Sequence, residues 1–165
     1  MPVAGRTSSD ARTTMSKTLR RRSCLTVPGG SEKMVGKAAG LTADEIVFDL
    51  EDAVAVPEKT SARRLVMTAI AGGTLAGRTI SVRVNAIGSR WCHEDIAAIG
   101  ALPHAGLTLV VPKVESAADL AFIDRLLDGI EAAHSLEMPV GVQALIETAA
   151  GLANVTAIAG SSRRL

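Results

Sequence analysis

Charged and amide side chains recur at the carboxyl ends of short β-rich runs of this sequence. The ends of four runs read Asp49-Leu50-Glu51-Asp52, Arg83-Val84-Asn85, Lys113-Val114-Glu115 and Glu147-Thr148. Because the carboxyl ends of parallel strands meet at one edge, where ligands bind, we expect these side chains to converge. Carboxylates beside cations, without aromatic partners, favour a hard divalent ion such as Mg²⁺. The residues alone therefore predict an acidic metal site next to an arginine.

Each of these polar groups also has a structural interpretation, because short polar side chains cap helices. An isolated acid at a strand end is more often a cap or solvated than a ligand. The amino ends of the strands show no comparable cluster in the sequence, so convergence at the other edge favours a site. The candidates for caps are Asp49, Asp52, Glu115, Ser116 and Thr148.

The elements that must position these groups alternate from Ser23 onward, as βα units around a parallel sheet do. We predict strands at residues 24–28, 45–50, 79–85, 107–112 and 140–146. We predict helices at residues 32–39, 59–71, 91–101, 117–134 and 149–159. Periodicity leaves open a closed barrel or an open doubly wound sheet. The turn after the first strand lacks the G-x-G-x-x-G pattern of dinucleotide-binding domains.

Composition limits the function classes. The 165 residues are 47% hydrophobic and carry a formal net charge of +1, enough for one domain with a sizeable core. A near-neutral balance with 2% aromatic residues argues against a nucleic-acid-binding protein. No apolar run reaches the roughly 20 residues of a membrane helix, and no secretory signal is recognisable. We therefore expect a cytoplasmic protein without a nucleic-acid or membrane partner.

Two further expectations concern the N-terminal segment and the cysteines. Residues 1–22 are rich in Arg, Ser and Thr and predict a disordered basic tail before a domain at residues 23–165. Cys24 and Cys92 stand in no metal-ligand spacing, and we expect both to be free thiols.

Five strand-end stretches share one family pattern: LTVPG at 25–29, FDLEDAV at 48–54, VRVN at 82–85, VPKVE at 111–115 and ALIETAAG at 144–151. Through them the sequence resembles the citrate lyase β-subunit and malyl-CoA lyase family (HpcH/HpaI aldolase/citrate lyase) from about Arg22 to Leu165. The resemblance implies an α/β fold of the TIM (β/α)₈ barrel class, with about five βα units present and the barrel cut short on its C-terminal side. Five matches in register make the resemblance specific.

The resemblance implies a magnesium-dependent carbon–carbon lyase, an oligomer that cleaves or forms a bond between an acyl-CoA and a 2-oxo acid or aldehyde. Glu147 resembles the family's first direct Mg²⁺ ligand. Arg83 resembles the group that holds the 2-oxo acid and faces its developing negative charge. Glu51 and Asp52 resemble the acidic pair that accepts hydrogen bonds from metal-bound water or carries a proton.

The resemblance also implies contacts with the substrate and with CoA. The first loop, with Pro28 and Gly29, is implied to bind substrate, and nearby basic side chains are available to the phosphates of CoA. Lys113 and Glu115 are expected to shape the site without a chemical role. The basic side chains are Arg22, Lys33 and Lys37.

In the family, a second Mg²⁺ ligand, an aspartate, follows the sixth strand, which we expect this sequence not to contain. Three explanations remain open: a fragment of a longer gene product, a shortened paralogue completed by oligomerisation, or a chain without chemistry. An aldolase that acts on free 2-oxo acids without CoA is a further alternative, because the same arginine and glutamate would serve it.

Overall fold

The computed structural model of the protein describes residues 21–165, so the predicted tail lies almost wholly outside the described residues. The strands are β1 (Cys24–Pro28), β2 (Glu45–Asp49), β3 (Thr79–Arg83), β4 (Leu107–Val111) and β5 (Gly141–Ala144). The α-helices are α1 (Glu32–Lys37), α2 (Lys59–Ala71), α3 (Cys92–Gly100), α4 (Ala117–His134), α5 (Ala149–Ala153) and α6 (Val155–Ala159). Short 3₁₀ turns occupy Ala38–Gly40 and Val56–Glu58.

The five strands form one parallel sheet in the order β1-β2-β3-β4-β5. At the carboxyl edge, Pro28 lies opposite Asp49, and Asp49 lies opposite Arg83. Successive βα units in sequential order are the arrangement found in the wall of a (β/α)₈ barrel. This confirms the predicted α/β fold and brings the polar strand ends to one edge.

Strand and helix boundaries differ from the sequence prediction where side chains redirect the backbone. β2 ends at Asp49 because its carboxylate accepts the backbone N–H of Glu51 at 2.8 Å and of Ala53 at 3.1 Å, which turns the chain. The helix predicted at 149–159 is interrupted at Asn154, where φ is −103° and ψ is 8°.

Apolar side chains on one face of the sheet pack beneath the helices. Ile46 and Phe48 of β2, with Ile80 and Val82 of β3, are fully buried there. Removing these side chains from water contributes about 1.5–3 kcal/mol each. None of the helices in residues 21–165 combines the length and apolarity needed to cross a membrane. Both cysteines are free, as expected.

The opposite face of the sheet carries a polar cluster near the amino ends of the strands, which the sequence prediction missed. Glu45 is 1% exposed, and its carboxylate accepts hydrogen bonds from Ser81 Oγ, from Gln143 Nε2 at 2.8 Å and from Cys24 Sγ at 3.0 Å. Burial opposes the charge, but these donors hold the pKa of Glu45 below its usual value. The expectation that these ends lack a polar cluster is therefore wrong.

Gly29, directly after β1, packs against the backbone of β2. A Cβ at this position would lie 2.7 Å from the Asp49 carbonyl oxygen and 2.9 Å from Leu50 Cδ2. We expect Gly29→Ala to destabilise the fold by about 1–3 kcal/mol in urea unfolding, because the added methyl has no space. Gly36→Ala is the matched control, since a Cβ there meets nothing within 4 Å. Equal stability of the Gly29 variant and the wild type would contradict this packing.

Candidate active site at the carboxyl ends of the strands

Asp49 and Arg83 form a two-pronged ion pair across β2 and β3. Arg83 Nε donates to Asp49 Oδ1 at 2.8 Å, and Arg83 Nη2 donates to Asp49 Oδ2 at 2.5 Å. Burial opposes the charge of Asp49, but the guanidinium and two backbone N–H groups hold its pKa below the usual value. The same hydrogen bond raises the pKa of Arg83. Asp49 therefore orients Arg83 and the turn after β2, and does not cap a helix.

Glu51 lies between two cations. It is 6% exposed, and its Oε1 accepts a hydrogen bond from Lys113 Nζ at 2.5 Å. Its Oε2 lies 3.3 Å from Arg83 Nη1 without hydrogen-bond alignment, and it is a buried acceptor without a partner among the described residues. Asp52 lies further out, with its side chain 72% exposed and Oδ2 3.8 Å from Arg83 Nη1. The structure thus brings both predicted acids to Arg83, one buried and one in solvent.

Lys113 connects Glu147 to Glu51. Its backbone N–H donates to Glu147 Oε1 at 3.0 Å, while its ammonium binds Glu51. The hydrogen bond to Glu51 raises the pKa of Lys113. Its φ is 54°, in the left-handed region that a non-glycine residue adopts only at some cost. The predicted metal ligand and the predicted proton carrier are therefore held by one strained residue.

Other residues at the strand ends serve the local structure. Ser116 caps α4 in a capping box with Asp119, and Thr148 caps α5 by accepting the N–H of Gly151 at 3.0 Å. Glu115 contributes a backbone contact: its carbonyl oxygen accepts a hydrogen bond from Asn154 Nδ2 at 2.9 Å. The capping interpretation is confirmed for Ser116 and Thr148.

Residues of the first loop and its neighbourhood lie at different edges. Pro28 is at the site edge, opposite Asp49, and Gly29 N–H donates to the Asp49 carbonyl at 2.8 Å. Arg22 is at the other edge, where its guanidinium binds the carboxylate of Asp44. Lys33 is exposed on α1.

Asn85 does not join the site, contrary to the sequence prediction. Its side chain donates to Asp95 Oδ2 at 2.6 Å, and its backbone N–H donates to the same oxygen at 3.0 Å. Asp95, on α3, is completely buried and also accepts Arg63 Nε at 2.7 Å. This network holds the loop after β3 and was missed because Asp95 looks like an ordinary acid in a helix's first turn.

The described residues do not form a complete metal site. No group of three or more His, Cys, Asp or Glu side chains within residues 21–165 could hold a metal ion. Glu147 is exposed at the strand edge, whereas Glu51 is already bound by Lys113. The chemistry of this set fits one carboxylate ligand of a Mg²⁺ ion that keeps water in its remaining positions.

Two cavities in the described part lie away from this edge. One of about 350 Å³ is lined by His104, His134 and Glu137, among others. The other, of about 770 Å³, is at the amino ends of the strands around Arg78 and Thr108. Neither contains Arg83, Glu51 or Glu147. The candidate site is placed by its converging charges and not by a cavity.

Comparison with known proteins identifies relatives over most of this chain. Residues 22–165 match the family HpcH/HpaI aldolase/citrate lyase. A (3S)-malyl-CoA thioesterase of Cereibacter sphaeroides is 39% identical over 142 residues, covering 86% of this chain and 46% of that protein. An L-malyl-CoA/beta-methylmalyl-CoA lyase of the same species is 38% identical over 141 residues, covering 84% of this chain and 44% of that protein.

Solved structures show the same architecture. Protein CitE from Mycobacterium tuberculosis, in complex with magnesium, acetoacetate and coenzyme A, superposes with a TM-score of 0.62 at 28% identity. The match covers 87% of this chain and 47% of CitE. The chain thus spans less than half the length of each of these three proteins. With the family pattern matched from residue 22 to residue 165, the chain belongs to the HpcH/HpaI aldolase/citrate lyase family.

Proposed function

We propose that the protein is a magnesium-dependent carbon–carbon lyase that cleaves or forms a bond between a CoA thioester and a 2-oxo acid or aldehyde. One observation carries the proposal: Arg83, fixed by Asp49 and flanked by Glu51, lies at the strand edge that also carries Glu147. The lyase among its relatives and the CitE complex with magnesium, acetoacetate and coenzyme A support this substrate class. A cytoplasmic homo-oligomer is part of the same proposal.

Arg83 would bind the carboxylate of the 2-oxo acid portion. Asp49 occupies its Nε and Nη2, which leaves Nη1 at the side of Glu51 and Asp52. A fixed cation needs no rearrangement as negative charge develops on the substrate, and this preorganisation lowers the barrier. The geometry therefore suits an arginine that both orients substrate and offsets charge.

Glu51 would carry the proton in the cleavage. In a malyl-CoA-type substrate, the hydroxyl group loses its proton as its oxygen forms the new carbonyl. The electron pair of the breaking carbon–carbon bond moves to the carbon next to the thioester, which then takes up a proton. Glu51 Oε2 is buried and has no hydrogen-bond donor among residues 21–165, so it is available to accept the proton of the substrate hydroxyl group. Asp52, in solvent, would exchange protons with water.

Glu147 would supply one carboxylate oxygen to Mg²⁺. When bound, the ion would polarise the oxygen at the carbon–carbon bond that breaks. Lys113 holds Glu147 through its backbone N–H, which fixes the carboxylate at the edge without neutralising it through a side chain. The first loop, with Pro28 and Gly29, would border the substrate on the side of β1.

Hydrolysis of the thioester is a second candidate function, favoured by the 39% identity to a malyl-CoA thioesterase. Cleavage of free 2-oxo acids without CoA would need only the arginine and the metal ligand. A protein without turnover is the remaining alternative. The products distinguish a CoA-ester lyase, a thioesterase, an aldolase and an inactive protein, because each breaks a different bond or none.

The decisive experiment incubates the purified protein and Mg²⁺ with (S)-malyl-CoA and, separately, with a 4-hydroxy-2-oxo acid. We expect glyoxylate and acetyl-CoA from malyl-CoA, measured by chromatography, and loss of both products in EDTA. Malate with free CoA would show a thioesterase. Pyruvate from the hydroxy acid alone would show an aldolase. Absence of all products would overturn the proposal of an enzyme.

A further inference from the structure

Lys59 is a buried cation next to the site that the proposed chemistry does not use. It is the first residue of α2 and is 6% exposed. Its Nζ donates to the carbonyl oxygens of Leu50 at 2.8 Å and of Glu51 at 2.6 Å. Its strongest contacts are therefore to the backbone of the loop that carries Glu51.

The nearby carboxylates already have other partners. Asp49 is bound by Arg83, and Asp95 is bound by Arg63 and by the loop after β3. Burial lowers the pKa of Lys59, while the charges of Asp49 and Asp95 act in the opposite direction. The ring of Trp91 lies 5.6 Å from Nζ and adds a cation–π contact.

Burying an ammonium group only to fill space is energetically unfavourable. Its desolvation is costly, and apolar side chains of similar size often give equal or better stability at such positions. We therefore attribute the lysine at this position to its hydrogen-bond donors and not to packing. Its ammonium binds two backbone carbonyl groups, which an apolar side chain could not do.

The loop after β2 is held from both sides. Asp49 accepts the N–H groups of Glu51 and Ala53, and Lys59 binds the carbonyl groups of Leu50 and Glu51. The Val54 N–H also donates to the Glu51 carbonyl, at 3.1 Å. The backbone of Glu51 is thus fixed at its N–H and at its carbonyl group, which sets the direction in which its side chain leaves the backbone.

We propose that Lys59 is a positioning residue, whose ammonium fixes the backbone at Leu50 and Glu51 and thereby places the Glu51 carboxylate against Arg83 and Lys113. This inference rests on the proposed function for its catalytic consequence. Its structural part stands on the contacts of Lys59 alone. Lys59 acts through Glu51 and does not contact the substrate.

Hydrogen exchange tests the structural part without any assay of activity. In Lys59→Met, we expect the amides of Glu51, Ala53 and Val54 to exchange at least about tenfold faster, because two charge-assisted hydrogen bonds are lost. Amides of α4 should keep their rates, which shows that the variant folds. Arg64→Met is the matched control: it removes a cation from the exposed face of the same helix.

Kinetics in a double-mutant cycle test the catalytic part. We expect Lys59→Met to lower kcat for malyl-CoA cleavage about thirtyfold, with KM within about threefold. In a Glu51→Gln background, Lys59→Met should change kcat by less than about threefold, because the carboxylate that it positions is gone. An equal loss in both backgrounds, or unchanged exchange in the loop, overturns the inference. If the wild type cleaves no CoA ester, the proposed function fails, and hydrogen exchange still decides the role of Lys59.

Discussion

Replacing Arg83 with methionine is expected to lower kcat/KM for CoA-ester cleavage by about a thousandfold, the scale of removing a preorganised charge from an active site. The variant keeps much of the side-chain length but loses the guanidinium that would bind the 2-oxo acid. It also loses the partner that holds Asp49, at 2.5 Å and 2.8 Å. Initial rates of acetyl-CoA release, measured over a range of substrate concentrations, check this expectation.

Arg83→Lys separates the charge from the geometry. A lysine keeps the positive charge but cannot hold both oxygens of Asp49 while also facing Glu51, so we expect about a hundredfold loss of kcat/KM. Arg125→Lys is the control, because Arg125 is 86% exposed on α4 and far along the chain from the site. Activity of Arg83→Met within about threefold of the wild type would remove Arg83 from the site.

The acid dependence of stability provides an independent check of the same pair. Because the folded-state pKa of Asp49 is depressed, the stabilisation from its pairing is present above the unfolded value of about 3.9 and is lost as pH falls through the folded value. In Arg83→Met, burial remains and the ion pair is gone, so the pKa of Asp49 should rise. We therefore expect the variant to be destabilised more at pH 7 than at about pH 3, where part of this stabilisation is already lost in the wild type, measured by urea unfolding.

The βα architecture could be predicted from the sequence because its signals are local. α2 and α4 were predicted at the observed bounds, since each has a periodic apolar face and clear ends. The polar residues after each strand indicated the edge where the site lies. Sequence does not, however, say which polar residues meet: Lys113 and Glu51 are 62 positions apart, and nothing local selects that pair.

Asn85 and Glu45 show the two ways in which the sequence prediction of the site fell short. Asn85 follows the same strand as Arg83 and was expected beside it, but Asp95 on α3 offers a buried carboxylate that binds it instead. Glu45 begins a strand, where an acid usually faces water. Its partners Ser81 and Gln143 lie on other strands, and only the assembled sheet brings them together. Alternating polar positions along β2 and β3 were the available signal.

Glu147→Gln is expected to lower kcat by about a thousandfold, if the carboxylate is a Mg²⁺ ligand whose charge the ion requires. The apparent affinity for Mg²⁺ should fall at least about tenfold. Glutamine keeps an oxygen that can accept the Lys113 N–H, so the loop after β4 should remain in place and the loss can be assigned to the charge. Activity measured against Mg²⁺ concentration, with calorimetric titration of the ion, checks both effects.

The control for this substitution is Glu137→Gln, an exposed glutamate in the connection between α4 and β5. It removes the same charge at the amino ends of the strands and should leave Mg²⁺ dependence unchanged. Wild-type turnover and Mg²⁺ affinity in Glu147→Gln would assign the metal to other residues and leave Glu147 as an anchor for Lys113. In that case the left-handed backbone of Lys113 would stabilise only the loop after β4 and would have no role in placing a metal ligand.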